Sequence, residues 1–504
     1  MMTGKNPLTG MDYPDPDVIR VGDKYYMIST TMHFFPGAEI LRSYDLIHWE
    51  WCSYVYDTLE HTSGEMLEGE NNIYGHGMWA ASLRYWKGRF HVIFIAHEWG
   101  RTFHFTAENI EGPWEKHYID GIYHDPSVLF DDDGKVYIVY GNRNIRMTEL
   151  KEDLSGPKPD GLDRIIIRDA PGDFLGYEGS HIYKISGKYV LFLIHSRPWK
   201  WFRTQACFIA DKPDGVWAGG DVLESDLDDI GSGVAQGGIV DTPNGKWYSV
   251  MFQDHGAAGR VPVLVPVSWN RFGYPVFGPV CKNVSNESTH PEHKYIPLTQ
   301  SDDFTDAGEI ATTGLKPCWQ FNHEPLKTMY QTGNGFFRIR TEKISRTIET
   351  ARNTITQRTM IPRCTAEVTV DASGIREGDV AGLCMLTGTY ALAGITCTDG
   401  KYELVMKARD TGKGEETEKA RVAADNPVIR IRAEATLETP NDEVRFLWKH
   451  NGRWEQLGPV HRLKFTLDHF CGCRFGLFMY ATQETGGEAE FREFRYSVPE
   501  FFNA

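Results

Sequence analysis

The sequence lacks any run of about 18 apolar residues, which excludes a membrane-spanning helix. Helical periodicity is nearly absent, so neither an α-helical bundle nor an α/β sheet fits the chain. Cysteine is sparse: nine in 504 residues, an odd number, mostly inside apolar runs. That pattern predicts buried free thiols rather than a disulfide framework. Cys471 and Cys473 form a C-x-C pair, but no second pair at zinc spacing accompanies them. Positive charge is also short, with 53 Lys and Arg against 69 Asp and Glu and a net charge of −16. Such a chain repels polyanions, so neither nucleic acid nor an anionic membrane surface is expected as a partner. The N-terminus, MMTGKNPLTG, has no apolar stretch of the secretory-signal kind.

What is present is β structure and aromatic surface. Apolar residues make up 41% and charged residues 24%, the composition of a globular protein long enough for two or three domains. Aromatics reach 13%, with 14 Trp, an excess that suits stacking on sugars and also fills large β cores. Five stretches share one form: VIRVGDKYYMIST, LRYWKGRFHVIFIA, VLFDDDGKVYIVYG, IYKISGKYVLFLIH and IVDTPNGKWYSVMF. Each is an apolar strand, a tight glycine turn and a second apolar, aromatic strand, which is a hairpin signal. The turn glycines are Gly22, Gly88, Gly134, Gly187 and Gly245, spaced by 66, 46, 53 and 58 residues. Antiparallel units recurring at that interval predict a β-propeller with five blades over residues 1–280.

The repeat has a phase. Nine residues before the last four glycines stand Trp79, Asp125, Glu178 and Gln236; in the first unit seven residues lead back to Asp15. The innermost strands of a propeller run in one direction around a central channel, so equivalent positions converge at one end of it. Asp15, Asp125 and Glu178 are therefore expected to share a chamber despite their distance in sequence. A strand-start Asp can also simply cap a turn. The Asp131-Asp132-Asp133-Gly134 run falls on the repeated turn and reads as a hairpin rather than a cation loop.

Residues 281–300, CKNVSNESTHPEHKYIPLTQ, are polar and aperiodic and read as a linker. From 301 to 504 alternating strands return without the hairpin repeat: CTAEVTV, AGLCML, ALAGITC, YELVMKA, VRFLWKH, RFGLFMYA and FREFRYS. They predict a two-sheet sandwich, giving an all-β chain of propeller followed by sandwich.

Paired carboxylates across a cavity equip a site for general acid and base catalysis of glycoside hydrolysis. A ring of three acids can equally hold a divalent cation, because Ca²⁺ takes oxygen ligands. The flanking aromatics and Arg260 tilt the balance toward a neutral, hydroxyl-rich substrate.

Several motifs resemble glycoside hydrolase family 43. They are Asn6-Pro7 with Tyr13-Pro14-Asp15-Pro16-Asp17, His124-Asp125-Pro126-Ser127, Glu178-Gly179-Ser180-His181, and Gln236-Gly237-Gly238 through Gly259-Arg260. The C-terminal part resembles the concanavalin-like β-sandwich of family β-xylosidases in Asp302-Asp303-Phe304, Trp319 to His323, and Arg352 to Arg358. The resemblance implies an inverting mechanism with Asp15 as general base, Glu178 as general acid and Asp125 as the carboxylate that tunes the acid. It places Arg260 on the terminal sugar and Trp79 on the pocket wall, where a purely structural ring is the alternative. Phe470 matches an aromatic reaching in from the sandwich, although a sandwich core position explains it as well. Many relatives carry His where this chain has Gln236, a substrate-pocket position; glutamine is a weaker cation ligand, so no channel metal is expected. Asp17 reads as structural. Phe34, with His33 and Phe35, is expected at the pocket mouth, with loop packing as the alternative.

The expected activity is exo-removal of terminal α-L-arabinofuranosyl or β-D-xylosyl units from pentose-containing oligo- or polysaccharides. An inverting pair leaves about 6.5–9.5 Å between carboxyls for the attacking water. No cofactor is required for this chemistry, and a structural Ca²⁺ has no support in the sequence. The alternatives are a non-catalytic carbohydrate-binding propeller, or an endo-arabinanase with an open groove.

Overall fold

Each of the five turn glycines adopts the left-handed conformation, with φ of 64° at Gly22, 81° at Gly88, 85° at Gly134, 78° at Gly187 and 79° at Gly245. A Cβ at any of them would meet nothing within 4 Å, so backbone conformation alone requires glycine there. The structure is a computed structural model that describes residues 1–499 apart from 170, 171, 173, 306, 307, 311 and 413. The last five residues of the expected 301–504 sandwich thus lie outside the described residues.

The hairpins closed by those glycines are the inner halves of five antiparallel sheets. Blade 1 holds Asp17–Val21, Lys24–Ile28, Gly37–Ser43 and Glu50–Tyr56. Blade 2 holds Met78–Trp86, Arg89–Ala96, Arg101–Ala107 and Glu115–Ile119. Blade 3 runs from Ser127–Phe130 through Val136–Tyr140 and Asn144–Leu150 to Asp163–Arg168. Blade 4 comprises Glu178–Ile185, Lys188–Arg197, Lys200–Ala210 and Ala218–Leu223. In blade 5 the innermost strand is split into Val234–Ala235 and Ile239–Asp241, both paired with Trp247–Asp254, followed by Arg260–Trp269 and Pro275–Phe277. Among the described residues there is no α-helix, only four single 3₁₀ turns.

Every seam between blades carries a hydrogen bond from a backbone N–H on or beside an innermost strand. Leu83 donates to Asp17 Oδ2 (2.8 Å), Val128 to Ser82 Oγ (3.1 Å), Ile182 to Ser127 Oγ (3.0 Å) and Ile239 to the Tyr183 hydroxyl (2.9 Å). Gly238 donates to Pro16 O at 3.3 Å and closes the ring between blades 5 and 1. Part of the 281–300 segment is itself paired: Asn283–Asn286 forms a short antiparallel ladder with Met2–Lys5.

The C-terminal residues form two packed sheets. All seven expected sandwich strands are present, in Arg363–Gly374, Val380–Leu386, Ala391–Thr398, Lys401–Ala408, Glu443–His450, Arg474–Tyr480 and Glu488–Ser497. Arg363–Gly374 buries Cys364, Ala366, Val368, Val370 and Ala372 in the inter-sheet core, the period-2 pattern of a strand with one inward face. Val380–Leu386 and Arg474–Tyr480 are buried along their whole length. Ala381, Leu383 and Met385 serve the sandwich core, whereas Val380, Cys384 and Leu386 pack with Met32 and Phe34 of the propeller. The two units therefore share a core.

Phe34 and Phe35 join this sandwich sheet as an added edge, pairing with Asn322 and Phe321. This corrects the expectation that Phe34 borders the pocket mouth. Its ring is 1% exposed, covered by the Arg474 guanidinium 3.5 Å from the ring centroid, and has no face to offer a sugar. Loop packing, at the domain boundary, is what the residue does. All nine cysteines are free, and six of them are buried.

Beside Phe34 lies a buried cluster of His33, His323, His469 and Tyr74. Burial holds His33 and His323 well below the ordinary histidine value, with neighbouring imidazoles opposing charge and Arg474 adding to the effect at His33. His323 Nε2 accepts the Ile73 N–H at 3.0 Å, a bond that requires an unprotonated nitrogen. Below the unfolded value of about 6.5 the unfolded chain binds more protons than the folded one, so this contribution is complete above that pH and lost as pH falls. Each such imidazole steepens the loss by up to about 1.4 kcal/mol per pH unit. We expect His33→Leu to show a correspondingly shallower fall in unfolding free energy between about pH 6 and 5. Urea titrations of both proteins measure it, and parallel slopes would show that His33 titrates normally in the fold.

Candidate active site

The three acids that share the repeat phase do converge. Asp15 immediately precedes the innermost strand of blade 1, Asp125 that of blade 3, and Glu178 opens that of blade 4. Asp15 and Asp125 are nearly buried at 7% and 6% exposure. Both adopt left-handed backbone, with φ of 53° and 47°. Gln236, in the gap of the split blade 5 strand, does the same at 54°. Non-glycine residues rarely take this conformation, and its concentration at equivalent points of three blades marks where the chain re-aims side chains into the channel.

Each carboxylate has a fixed set of partners. Thr30 donates its hydroxyl to Asp15 Oδ2 at 2.7 Å, and Arg260 Nη1 reaches both oxygens of Asp15 at 2.8 and 3.0 Å. Gly179 N–H donates to Asp125 Oδ2 at 3.0 Å. Asn142 donates its amide to Glu178 Oε2. His124 Nε2 stands 3.7 Å from Asp125 Oδ2 and 3.8 Å from Glu178 Oε2, bridging the two acids. Burial pushes Asp125 up to about 6; His124 pulls against this, and the charges of Glu178 and Asp15 add to the rise. Asp125, helped by Glu178 and Asp15 and opposed by burial, pushes His124 up to about 9. At neutral pH the bridge is therefore an imidazolium.

Aromatic rings wall the acids in. Trp79 and Phe470 stack with centroids 5.4 Å apart, and the Trp79 ring lies 5.9 Å from His124. The Arg260 guanidinium sits 4.7 Å over Phe470 and donates to its carbonyl at 3.4 Å. The contacts form a chain from Asp15 through Arg260, Phe470 and Trp79 to His124, which faces both Glu178 and Asp125. The sandwich thus supplies one wall through Phe470. Asp12 fixes that wall, because one oxygen accepts the Arg260 N–H and the other the Gly472 N–H, both at 2.7 Å. Gln236 N–H is held by Gln205 Oε1 at 2.8 Å, and its side chain lies against Gly179, where a Cβ would come within 2.8 Å of it. Asp17 is elsewhere: fully buried, it binds Leu83 N–H, Arg84 and His181.

Sequence reasoning assigned no role to His124, Thr30, Asn142 or Asp12. His124 carried a signal in its position beside Asp125, since an imidazole next to a buried carboxylate shifts both. Thr30, Asn142 and Asp12 act through tertiary contacts that no spacing announces. His124, Asp125 and Glu178 offer donor atoms all within 4.8 Å of one another, the geometry of a candidate cation site. These three would hold a divalent cation through one carboxylate oxygen each of Asp125 and Glu178 and one imidazole nitrogen of His124.

Residues 4–275 match Glycosyl hydrolases family 43, and residues 302–497 match the Beta xylosidase C-terminal Concanavalin A-like domain. The chain is 26% identical to a beta-xylosidase of Formosa agariphila over 97% of its own length and 90% of the relative's. It is 27% identical to a non-reducing end alpha-L-arabinofuranosidase of Bacteroides ovatus, over 82% of this chain and 79% of that one. Among solved structures it superposes on a bifunctional GH43-CE protein of Bacteroides eggerthii with a TM-score of 0.90 and 37% identity, covering 98% of this chain. It spans only 64% of that longer protein. A five-bladed propeller with three converging acids, a concanavalin-like sandwich that walls them, and a family match over more than half the residues lead to one assignment: the chain is a glycoside hydrolase and belongs to glycosyl hydrolase family 43.

Proposed function

We propose that the enzyme removes terminal α-L-arabinofuranosyl or β-D-xylosyl units from pentose-containing glycans by a single inverting displacement. The observation that carries this reading is the convergence of Asp15, Asp125 and Glu178 beside the Trp79–Phe470 stack, with His124 facing both Asp125 and Glu178 and Arg260 linking Asp15 to Phe470. In this reading Asp15 is the general base. Thr30 and Arg260 fix its carboxylate so that one direction remains for a water beneath the anomeric carbon. Glu178 is the general acid and gives its proton to the departing oxygen. Asp125 and the His124 imidazolium set the charge balance around that acid. Trp79 and Phe470 close the far side, and a chamber closed on one side holds a chain end rather than the middle of a polymer. The names of the two curated relatives, one a xylosidase and one an arabinofuranosidase, support the pair of sugars. The two place hydroxyls similarly around a shared anomeric geometry.

Asp15→Ala and Glu178→Ala should each lower kcat/KM on the order of 10²- to 10⁴-fold with the fold intact. Glu178→Ala should be spared on a dinitrophenyl glycoside, whose leaving group needs no proton. NMR of the first-formed sugar should show the inverted anomer of a monosaccharide. A retained anomer would falsify single displacement, and oligomeric products would instead support endo cleavage.

We also propose that turnover needs no metal, because the two proton transfers of a single displacement are complete with the Asp15 and Glu178 carboxyls alone. Dialysis against EDTA should leave kcat within about two-fold, the scatter of a minor effect on the ten-fold-per-1.36 kcal/mol scale. A loss restored by Ca²⁺ would turn this cluster into a metal site.

A further inference from the structure

The hairpin joining Lys188–Arg197 to Lys200–Ala210 in blade 4 carries two tryptophans that the chamber does not use. Trp199 is 75% and Trp201 47% exposed. Phe174, 61% exposed, stands on the segment leading into Glu178. That segment runs beside the hairpin, since Ser196 N–H donates to Leu175 O and Leu175 N–H to Ser196 Oγ, both at 3.0 Å. Three large rings left in water at one rim have an unsatisfied apolar surface, and such clusters mark binding sites.

This rim is continuous with the chamber. The Trp201 ring lies 5.2 Å from the Arg203 guanidinium, which also rests 4.8 Å over Phe252. Arg260, the partner of Asp15, packs 5.5 Å over the same Phe252. Arg203 is held by Asp254 at 2.6 Å and feels the charges of Glu178 and Asp15. The Arg197 charge beside Trp199 is balanced by Asp221 and Glu224. Those pairs neutralise the guanidinium beside Trp199, while the Lys200 ammonium packs 4.0 Å over Phe202.

We propose that Trp199 and Trp201, with Phe174, form the leaving-group subsite, a stacking platform for the neutral pyranose units on the far side of the scissile bond. The inference rests on the assignment of Glu178 as general acid. An acid must lie within about 2.6–3.2 Å of the leaving oxygen, so the departing sugar sits on the Glu178 side of the chamber. Trp79 of blade 2 and Phe470 of the sandwich stack over the acids from outside blade 4. The departing chain therefore crosses the edge of blade 4, where the two indoles stand. Indole faces stack on the apolar C–H face of a pyranose, and neither partner carries charge.

The test compares two substrates of the same glycone. A xylo-oligosaccharide of four units, or the same chain bearing an arabinofuranosyl branch, fills the leaving-group side; the matching glycosyl fluoride, with a one-atom leaving group, does not. In Trp199→Ala/Trp201→Ala the ratio of kcat/KM for oligosaccharide to that for fluoride should fall at least about ten-fold, mostly through KM. Trp201→Phe should recover part of the loss. A ratio within two-fold of wild type, whether or not both activities drop, overturns the subsite and leaves the platform to another occupant. Failure of the underlying reading looks different: wild-type enzyme would hydrolyse neither pentosyl fluoride, and the subsite would fall with it.

Discussion

A closed ring of blades must dispose of backbone N–H groups along its five seams, because the innermost strands have no lateral neighbour to pair with in the sheet. Buried donors without partners cost about 1–3 kcal/mol each, so the ring is stable only if something accepts them. Here side chains from the preceding blade do so at four seams and a carbonyl at the fifth. Asp17 anchors this arrangement. It accepts from Leu83 N–H and Arg84 of blade 2 and pairs with His181 of blade 4, while Arg84 continues to Ser127 of blade 3. Although burial opposes its charge, Arg84 and His181 hold Asp17 below the usual carboxylate range. An apolar residue at this point would leave the Leu83 N–H without its acceptor and the Arg84 charge without its carboxylate.

Closure of that ring produces the chamber. Once Asp17 has set the first, second and fourth blades around one axis, the residues just upstream of their inner strands have little choice but to meet. Asp15 is two residues from Asp17, and Glu178 is three from His181. The same short segments thus serve stability on one side of the strand and chemistry on the other. The left-handed backbone at Asp15, Asp125 and Gln236 is what allows a strand start to turn its side chain inward. Conformations of this kind persist only where the surroundings over-determine them. Here the surroundings are the ring itself, with Thr30, Gly179 and Gln205 as local clamps.

Much of this was legible in the sequence because its causes are local. Turn glycines at Gly22, Gly88, Gly134, Gly187 and Gly245 act through φ alone, and alternation in CTAEVTV reports a single buried face. The register of the acids followed from counting between those turns. Trp79 shared the repeat phase, whereas the resemblance to family 43, rather than periodicity, placed Arg260 and Phe470 at the chamber. Phe34 failed for a nonlocal reason: its aromatic run looks the same whether it lines a mouth or fills a boundary, and only Asn322 and Arg474, about 300 and 440 residues downstream, decide which. Asp12 was invisible on the same ground, since its partners are Arg260 and Gly472. The strand at Asn283–Asn286 lies in polar sequence because its partner, Met2–Lys5, is at the other end of the propeller.

The shared core has a consequence for how stability and catalysis are linked. Phe470 takes φ of 55° and lies one residue after His469, a member of the buried imidazole cluster, and two before Gly472, which Asp12 holds. The wall of the chamber is thus suspended between the Asp12 anchor on the propeller and a buried cluster in which His33 and His323 are held well below the ordinary histidine value. The anchor accepts two N–H groups on the Asp12 oxygens, whereas burial disfavours charge on His33 and His323. As pH falls below the unfolded histidine value of about 6.5 the cluster costs the fold stability, over the same range in which Asp125, pushed up to about 6, takes up its proton. Acid therefore acts on the domain boundary as well as on Asp125, and the Trp79–Phe470 stack ties the two regions together.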